Sequence, residues 1–153
     1  ESLEEVRRLV HRLRQGVLDD LGLVSAVTSL TTEFATHTGL RVVRRFDPDL
    51  PELGHETELV IYRVAQESLT NVARHAGATQ VEVSLKRIGA MLELRVRDNG
   101  RGFSGTAAPD RFGVLGMRER VSELHGELYF ESPPSGGLSV CARLPHRDST
   151  RET

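Results

Sequence analysis

Glu67 and Asn71 stand four residues apart in the run Glu67-Ser68-Leu69-Thr70-Asn71, which continues to Arg74-His75-Ala76. Residues so spaced share one face of a helix, with Arg74 and His75 a turn further on. An amide oxygen is a hard ligand suited to Mg²⁺, which keeps waters and phosphate oxygens as its other ligands. A carboxylate beside it can bind a metal's water or act as a base. Alone, these residues read equally well as a solvated Glu/Asn/Arg stripe. Val60 and Val64 lie on the same face one to two turns earlier and favour a pocket without settling the choice. A solvated face does not usually carry two valines, whereas a half-buried pocket does. Ile61, Tyr62, Ala65, Leu69 and Val72 supply the core stripe on the other side.

Two further segments bear chemistry. In Asp98-Asn99-Gly100-Arg101-Gly102 a carboxylate ends an alternating run and enters a turn rich in glycine. Gly100 and Gly102 permit positive φ and close backbone approach to a ligand. Asp98 can accept a hydrogen bond from an exocyclic amine such as adenine's, although Asp-Asn-Gly is also an ordinary turn. In Gly113-Val114-Leu115-Gly116-Met117-Arg118-Glu119-Arg120 two glycines flank an expected helix start. Free N–H groups there favour phosphate, and Arg118 and Arg120 can add charge-assisted contacts. The alternative is a loosely capped helix with exposed arginines. Taken together, the three segments describe a nucleotide pocket.

Elements must hold these groups in place. Leu3, Val6, Val10, Leu13 and Val17 form a short heptad seam on a charged helix, interrupted by Gly16, Asp19 and Asp20. A second helix is expected from about Leu21 to His37, closed by Gly39. Leu40–Phe46 reads as a strand, and a long helix spans about Glu56–Ala76, closed by Gly77. Val81, Val83 and Leu85, then Leu92, Leu94 and Val96, alternate with polar residues as two antiparallel strands joined near Gly89. A helix over about Val114–Leu124 precedes a last hairpin, Gly126–Glu131 with Leu138–Leu144. The pattern predicts an α+β sandwich, one sheet with helices on one face.

Composition sets the bounds. The chain has 153 residues, enough for one domain with an appendage. Its net charge is −2 without a basic block, so the footprint of a nucleic-acid binder is missing. No Trp is present and aromatics make up 5%, which predicts an aliphatic core. No apolar run approaches the ~20 residues of a membrane span. Cys141 is the single cysteine and falls in an alternating run, which suits a buried strand position and a reducing cytosol. The chain starts inside a helical pattern without Met, as a piece of something longer would.

The order of the segments resembles the ATP-binding domain of bacterial sensor histidine kinases, in the subfamily that pairs with helix-turn-helix response regulators. Residues Tyr62 to Ala76 resemble its asparagine box, with Tyr62-Arg63, Gln66-Glu67, Asn71 and His75-Ala76 carrying the match. Asp98–Gly102 resembles the first glycine box and Gly113–Arg120 the second. Leu13–Leu18 and Leu21-Gly22-Leu23 resemble the end of a dimerisation helix and its link to the catalytic domain. The resemblance implies a Bergerat-type two-layer sandwich with a mixed sheet over 21–146, preceded by a helical dimerisation remnant over 1–20 and followed by a tail over 147–153.

The same resemblance implies a site that binds ATP with Mg²⁺. Asn71 would ligate the metal and Glu67 would act beside it as the catalytic residue. Asp98 would read the adenine, with Gly100 and Gly102 shaping that wall. Arg74, His75 and Arg118 would lie near the phosphates, and residues 103–112 would form a lid hinged by Gly113 and Gly116. The implied activity is transfer of the γ-phosphoryl group to a histidine on the protein's own dimerisation domain, and onward to a response regulator. A cytoplasmic homodimer follows, whose full-length parent is free to be membrane-anchored, with no direct contact to nucleic acid.

Two positions depart from the family: Gln15 stands where Pro is usual, and Leu138 where a Thr usually supports the adenine-reading Asp. The acceptor context, a His followed by Asp, is found at none of His11, His37, His55, His75, His125 and His146. Gyrase-type and mismatch-repair ATPases share the boxes but carry longer lids and transducer domains. An anti-sigma serine kinase lacks the Gly-Met-Arg-Glu-Arg run. A degenerate partner-binding domain is the non-enzyme alternative, against which Asn71, Asp98, Gly100 and Gly102 stand intact.

Overall fold

The computed structural model describes residues 22–75, 77–100, 112–134 and 136–146, without the side chains of 75 and 112–115. The expected dimerisation helix and linker over 1–20, the lid over 103–112 up to Phe112, Gly102 and the tail over 147–153 lie outside the described residues.

Helix α1 runs over Leu23–Thr38 and buries Leu23, Ala26, Val27, Leu30 and Thr31, one stripe at helical spacing. It stops where Gly39 turns left-handed at φ 75° and its N–H caps the Ala35 carbonyl. Strand β1, Arg41–Phe46, follows at once. Arg44 of β1 donates through Nε to Thr31 Oγ1 at 2.6 Å and through Nη2 to Thr32 Oγ1 at 2.8 Å, tying the strand to α1. Helix α2, His55–His75, is the longest element among the described residues, at 21 residues. Strands β2 (Gln80–Ile88) and β3 (Met91–Asp98) form a hairpin. Helix α3, Phe112–Glu123, then leads to strands β4 (Glu127–Glu131) and β5 (Ser139–Pro145).

The five strands pair in the order β1-β2-β3-β5-β4. Only β1 and β2 run parallel, and α2 is the crossover that parallel pairing requires. The other pairs are antiparallel, so the sheet is mixed as expected. Register puts Val81, Val83 and Leu85 beside Val96, Leu94 and the β1 residues Val42 and Phe46 on one face. Val140, Ala142, Leu144 and Leu128 continue that face, against which the helices pack. The core is aliphatic apart from Tyr62, its largest fully buried side chain.

The opposite face is a lattice of charge. Glu93 is buried there, between β2 and β5. Its Oε2 accepts from Arg143 Nε at 2.9 Å, while Arg95 Nε lies 3.7 Å from Oε1. Arg95 Nη1 also reaches Glu131 at 3.0 Å and Ser139 Oγ at 3.2 Å. Cys141 lies fully buried under these long side chains, a strand position as expected, and burial pushes its thiol pKa up. A shallow cavity of about 330 Å³ opens at one end of this face between Arg95, Arg97, Glu131 and Ser139.

Candidate functional site

Asp98 is the last residue of β3 and sits on the helix-covered face, 5% exposed. Its carboxylate Oδ1 accepts the Gly100 N–H at 2.8 Å, closing a tight side-chain turn. The backbone N–H of Leu138 also acts to hold down the pKa of this carboxylate, and the Asp98 N–H donates to the Leu138 carbonyl at 3.0 Å. Leu138 therefore brackets Asp98 through its main chain. Burial raises the Asp98 pKa above the ordinary 3.8, and the two amides oppose that rise.

Asn99 clamps this turn to the segment after α2. Its Oδ1 accepts the N–H groups of Thr79 and Gln80, each at 3.0 Å, and its Nδ2 donates to Thr79 Oγ1 at 3.0 Å. From the other side the β4–β5 connection presses in. Gly137 has φ +88°, and a Cβ built on it would collide with the Asp98 carbonyl oxygen. Only glycine allows that approach.

The second wall is α2. Glu67 and Asn71 are half-buried on one flank, with Val60 and Val64 buried beneath them. The valines thus sit as a half-buried pocket requires. Neither Glu67 nor Asn71 has a side-chain hydrogen bond or ion pair among the described residues. Arg74 is exposed, and His75 ends the helix. Helix α2 packs on β3, β5 and α3, so its flank and the Asp98 turn belong to the same side of the sheet.

The glycine-led helix differs from expectation. It begins at Phe112 rather than Val114, so Gly113 and Gly116 lie within α3 instead of flanking its start. The free amides belong to its first turn, where Gly113 lies, whereas the Gly116 N–H has a carbonyl four residues back. Gly116 is exposed, with nothing within 4 Å of a Cβ built on it. The Arg118 guanidinium lies 5.9 Å from the centre of the Phe130 ring of β4, a cation–π contact that anchors α3 to the sheet edge.

Sequence reasoning missed three features of this region. Asn99 carried a signal, since Asn in a turn often bonds nearby backbone. The Leu138 main chain carried none, because any residue offers the same N–H and C=O. Ser68, one residue after Glu67, is 1% exposed, and its hydroxyl has no hydrogen-bond partner among the described residues.

Residues 56–148 match the family model of the histidine kinase-, DNA gyrase B-, and HSP90-like ATPases. The signal transduction histidine-protein kinase/phosphatase DegS of Brevibacillus brevis is 34% identical over 145 residues, 94% of this chain and 38% of that protein. The sensor histidine kinase MctS of Rhizobium johnstonii is 37% identical over 148 residues, 94% of this chain and 32% of that protein. The chain thus spans roughly a third of the length of these relatives. In fold it is similar to the Erythrobacter litoralis EL346 blue-light activated histidine kinase. That likeness has a TM-score of 0.68 at 20% identity, over 84% of this chain and 43% of that one. The matched segment runs from α2 through β5 and holds Glu67, Asn71, Asp98 and Gly100, and the chain belongs to the histidine kinase-, DNA gyrase B-, and HSP90-like ATPase family.

Proposed function

We propose that this chain is the catalytic ATP-binding part of a two-component sensor histidine kinase, of the subfamily paired with helix-turn-helix response regulators. The observation that carries the reading is the Asp98 carboxylate, buried and bracketed by two backbone amides, on the same side of the sheet as the half-buried Glu67 and Asn71. A carboxylate so placed accepts from an exocyclic amine, the feature that separates adenine from guanine at that edge.

The donor set fits Mg²⁺. No group of three or more His, Cys, Asp or Glu able to hold a metal exists among the described residues. Mg²⁺ needs few protein ligands and takes the rest from water and phosphate. Asn71 Oδ1 would be the protein ligand, and the bound metal would neutralise charge on the phosphates. Arg74, His75, Arg118 and the first turn of α3 are the phosphate-side groups in this reading, with Gly100 and Gly102 at the base. Gly113 and Gly116 give α3 small surfaces next to the nucleotide.

The reaction transfers the γ-phosphoryl group to a ring nitrogen of a histidine on the dimerisation domain. The bond from γ-phosphorus to the β-bridging oxygen breaks and ADP leaves, while Glu67 receives the imidazole proton. In the full-length homodimer the phosphoryl group then passes to a response regulator. In this reading the catalytic part lies in the cytosol, and its full-length parent is free to be membrane-anchored. Among the described residues no helix is long and apolar enough to cross a membrane.

Calorimetry with ATP and GTP, with and without Mg²⁺, tests the binding half. Tighter binding of ATP than GTP, strengthened by Mg²⁺, is expected. Equal affinity for the two nucleotides would overturn the assignment of Asp98.

A further inference from the structure

The Ser68 hydroxyl is the feature of α2 that the site described above leaves unexplained. It is 1% exposed and makes no hydrogen bond among the described residues. A hydroxyl out of water without a partner is costly, so it marks a place where a partner arrives. Many buried serines in helices bond back to the carbonyl four residues earlier, as Thr31 and Thr70 do in this chain at 3.0 Å. Ser68 does not. Arg63 Nε and Gln66 Oε1 share the unpaired condition, but on half-buried side chains.

Position narrows the partner. At 100° per residue Ser68 lies 60° round the helix from Asn71 and 40° from Val64, on the side that turns from the Glu67–Asn71 flank toward the sheet. Helix α2 packs on β3, which Asp98 ends, and on β5, which Leu138 precedes. Ser68 thus stands on the sheet side of the metal-ligating residue, toward the base end rather than the solvent end of the pocket.

We infer that Ser68 is a base-recognition residue, its hydroxyl completed by the edge of the nucleotide's purine or by a water which that edge holds in place. This rests on the nucleotide reading proposed above. Asp98 then shares base recognition with a neutral hydroxyl contributed from the opposite wall.

Ser68→Ala in the 153-residue chain provides the test, since Ala keeps the helix and removes one oxygen. ATP affinity should fall about tenfold, the worth of one good hydrogen bond, with and without Mg²⁺ alike. The melting temperature of the nucleotide-free variant should be equal to or above the wild type's, because no bond is lost in that state. Unchanged ATP affinity in a wild-type-like fold overturns the assignment. A loss seen only with Mg²⁺ places Ser68 at the metal end and also overturns it. A lowered melting temperature without nucleotide shows a hydroxyl already bonded in the fold and does the same. Failure of the wild type to bind ATP overturns the nucleotide reading itself, and this inference with it.

Discussion

Asp98 is buried, and burial raises the pKa of its carboxylate above 3.8 while the Gly100 and Leu138 amides hold it down. A carboxylate whose folded pKa is raised favours the fold at low pH, and that contribution is lost as pH rises through the folded value. Asp98→Asn keeps the shape without the charge. The melting temperature of the wild type minus that of the variant should therefore be largest below about pH 4, fall as pH rises, and level off. A difference that ignores pH would show that the carboxylate is not held in this environment. The same variant should lose preference for ATP over GTP by calorimetry, because a neutral amide presents a donor as well as an acceptor to the base.

Positions 137 and 138 make opposite demands. Gly137→Ala forces a Cβ into the Asp98 carbonyl at a positive φ, and should cost about 1–3 kcal/mol of stability together with ATP affinity. Leu138→Thr leaves the bracketing N–H and C=O in place, so ATP affinity should stay within about threefold. A large gain on Leu138→Thr would mean that side chain, not backbone, limits base recognition here.

Among the elements, the β3–β5 ladder divides two environments. On its open face Glu93 is buried with Arg143 at 2.9 Å and Arg95 at 3.7 Å. Both arginines are part-exposed, so the loss on Glu93→Ala is smaller than for a fully buried pair, about 1–2 kcal/mol by denaturant unfolding. ATP affinity should not change. Cys141, buried on the same face, should resist thiol reagents until the protein unfolds. This face also shows where pattern reading stops. Leu92, Leu94 and Val96 announced β3 by alternation, yet nothing in Glu93 marked it as buried. Long neighbouring side chains cover it, and which residues are neighbours depends on strand pairing. The parallel β1–β2 pair was hidden for the same reason, since Arg41–Phe46 alternates poorly and its partner lies across a helix. Boundaries set by glycine were legible, as Gly39 and Gly89 show with φ of 75° and 60°. The start of α3 was not, because Gly113 read as a flank and lies inside.

At the scale of the molecule, the long helix was readable from the apolar stripe of Ile61, Ala65, Leu69 and Val72, whereas Val60 and Val64 left its Glu67–Asn71 flank open between a pocket and a solvated stripe. The Leu138 part of the bracket around Asp98 was not readable, because it is made by the main chain of a residue forty positions away in sequence, just before β5. With radiolabelled ATP, the chain alone should take up no acid-labile label, since none of its six histidines stands in an acceptor context. A separate dimerisation domain bearing such a histidine should become labelled. Glu67→Gln should slow that transfer more than it weakens ATP binding, and an unchanged rate would remove Glu67 from the reaction. Label on the isolated chain would contradict the missing-acceptor argument.

Every described residue assigned to the pocket lies on the helix-covered side of the sheet or at its strand ends, while Glu93, Arg95, Cys141 and Arg143 occupy the other side. The sheet is in this sense a partition between two inheritable texts. A lineage can rewrite the odd-numbered positions of β3 and β5, one outward residue at a time, without editing the nucleotide chemistry behind them. Chimeras that exchange only those positions with a relative should keep their ATP affinity while acquiring a different outer surface.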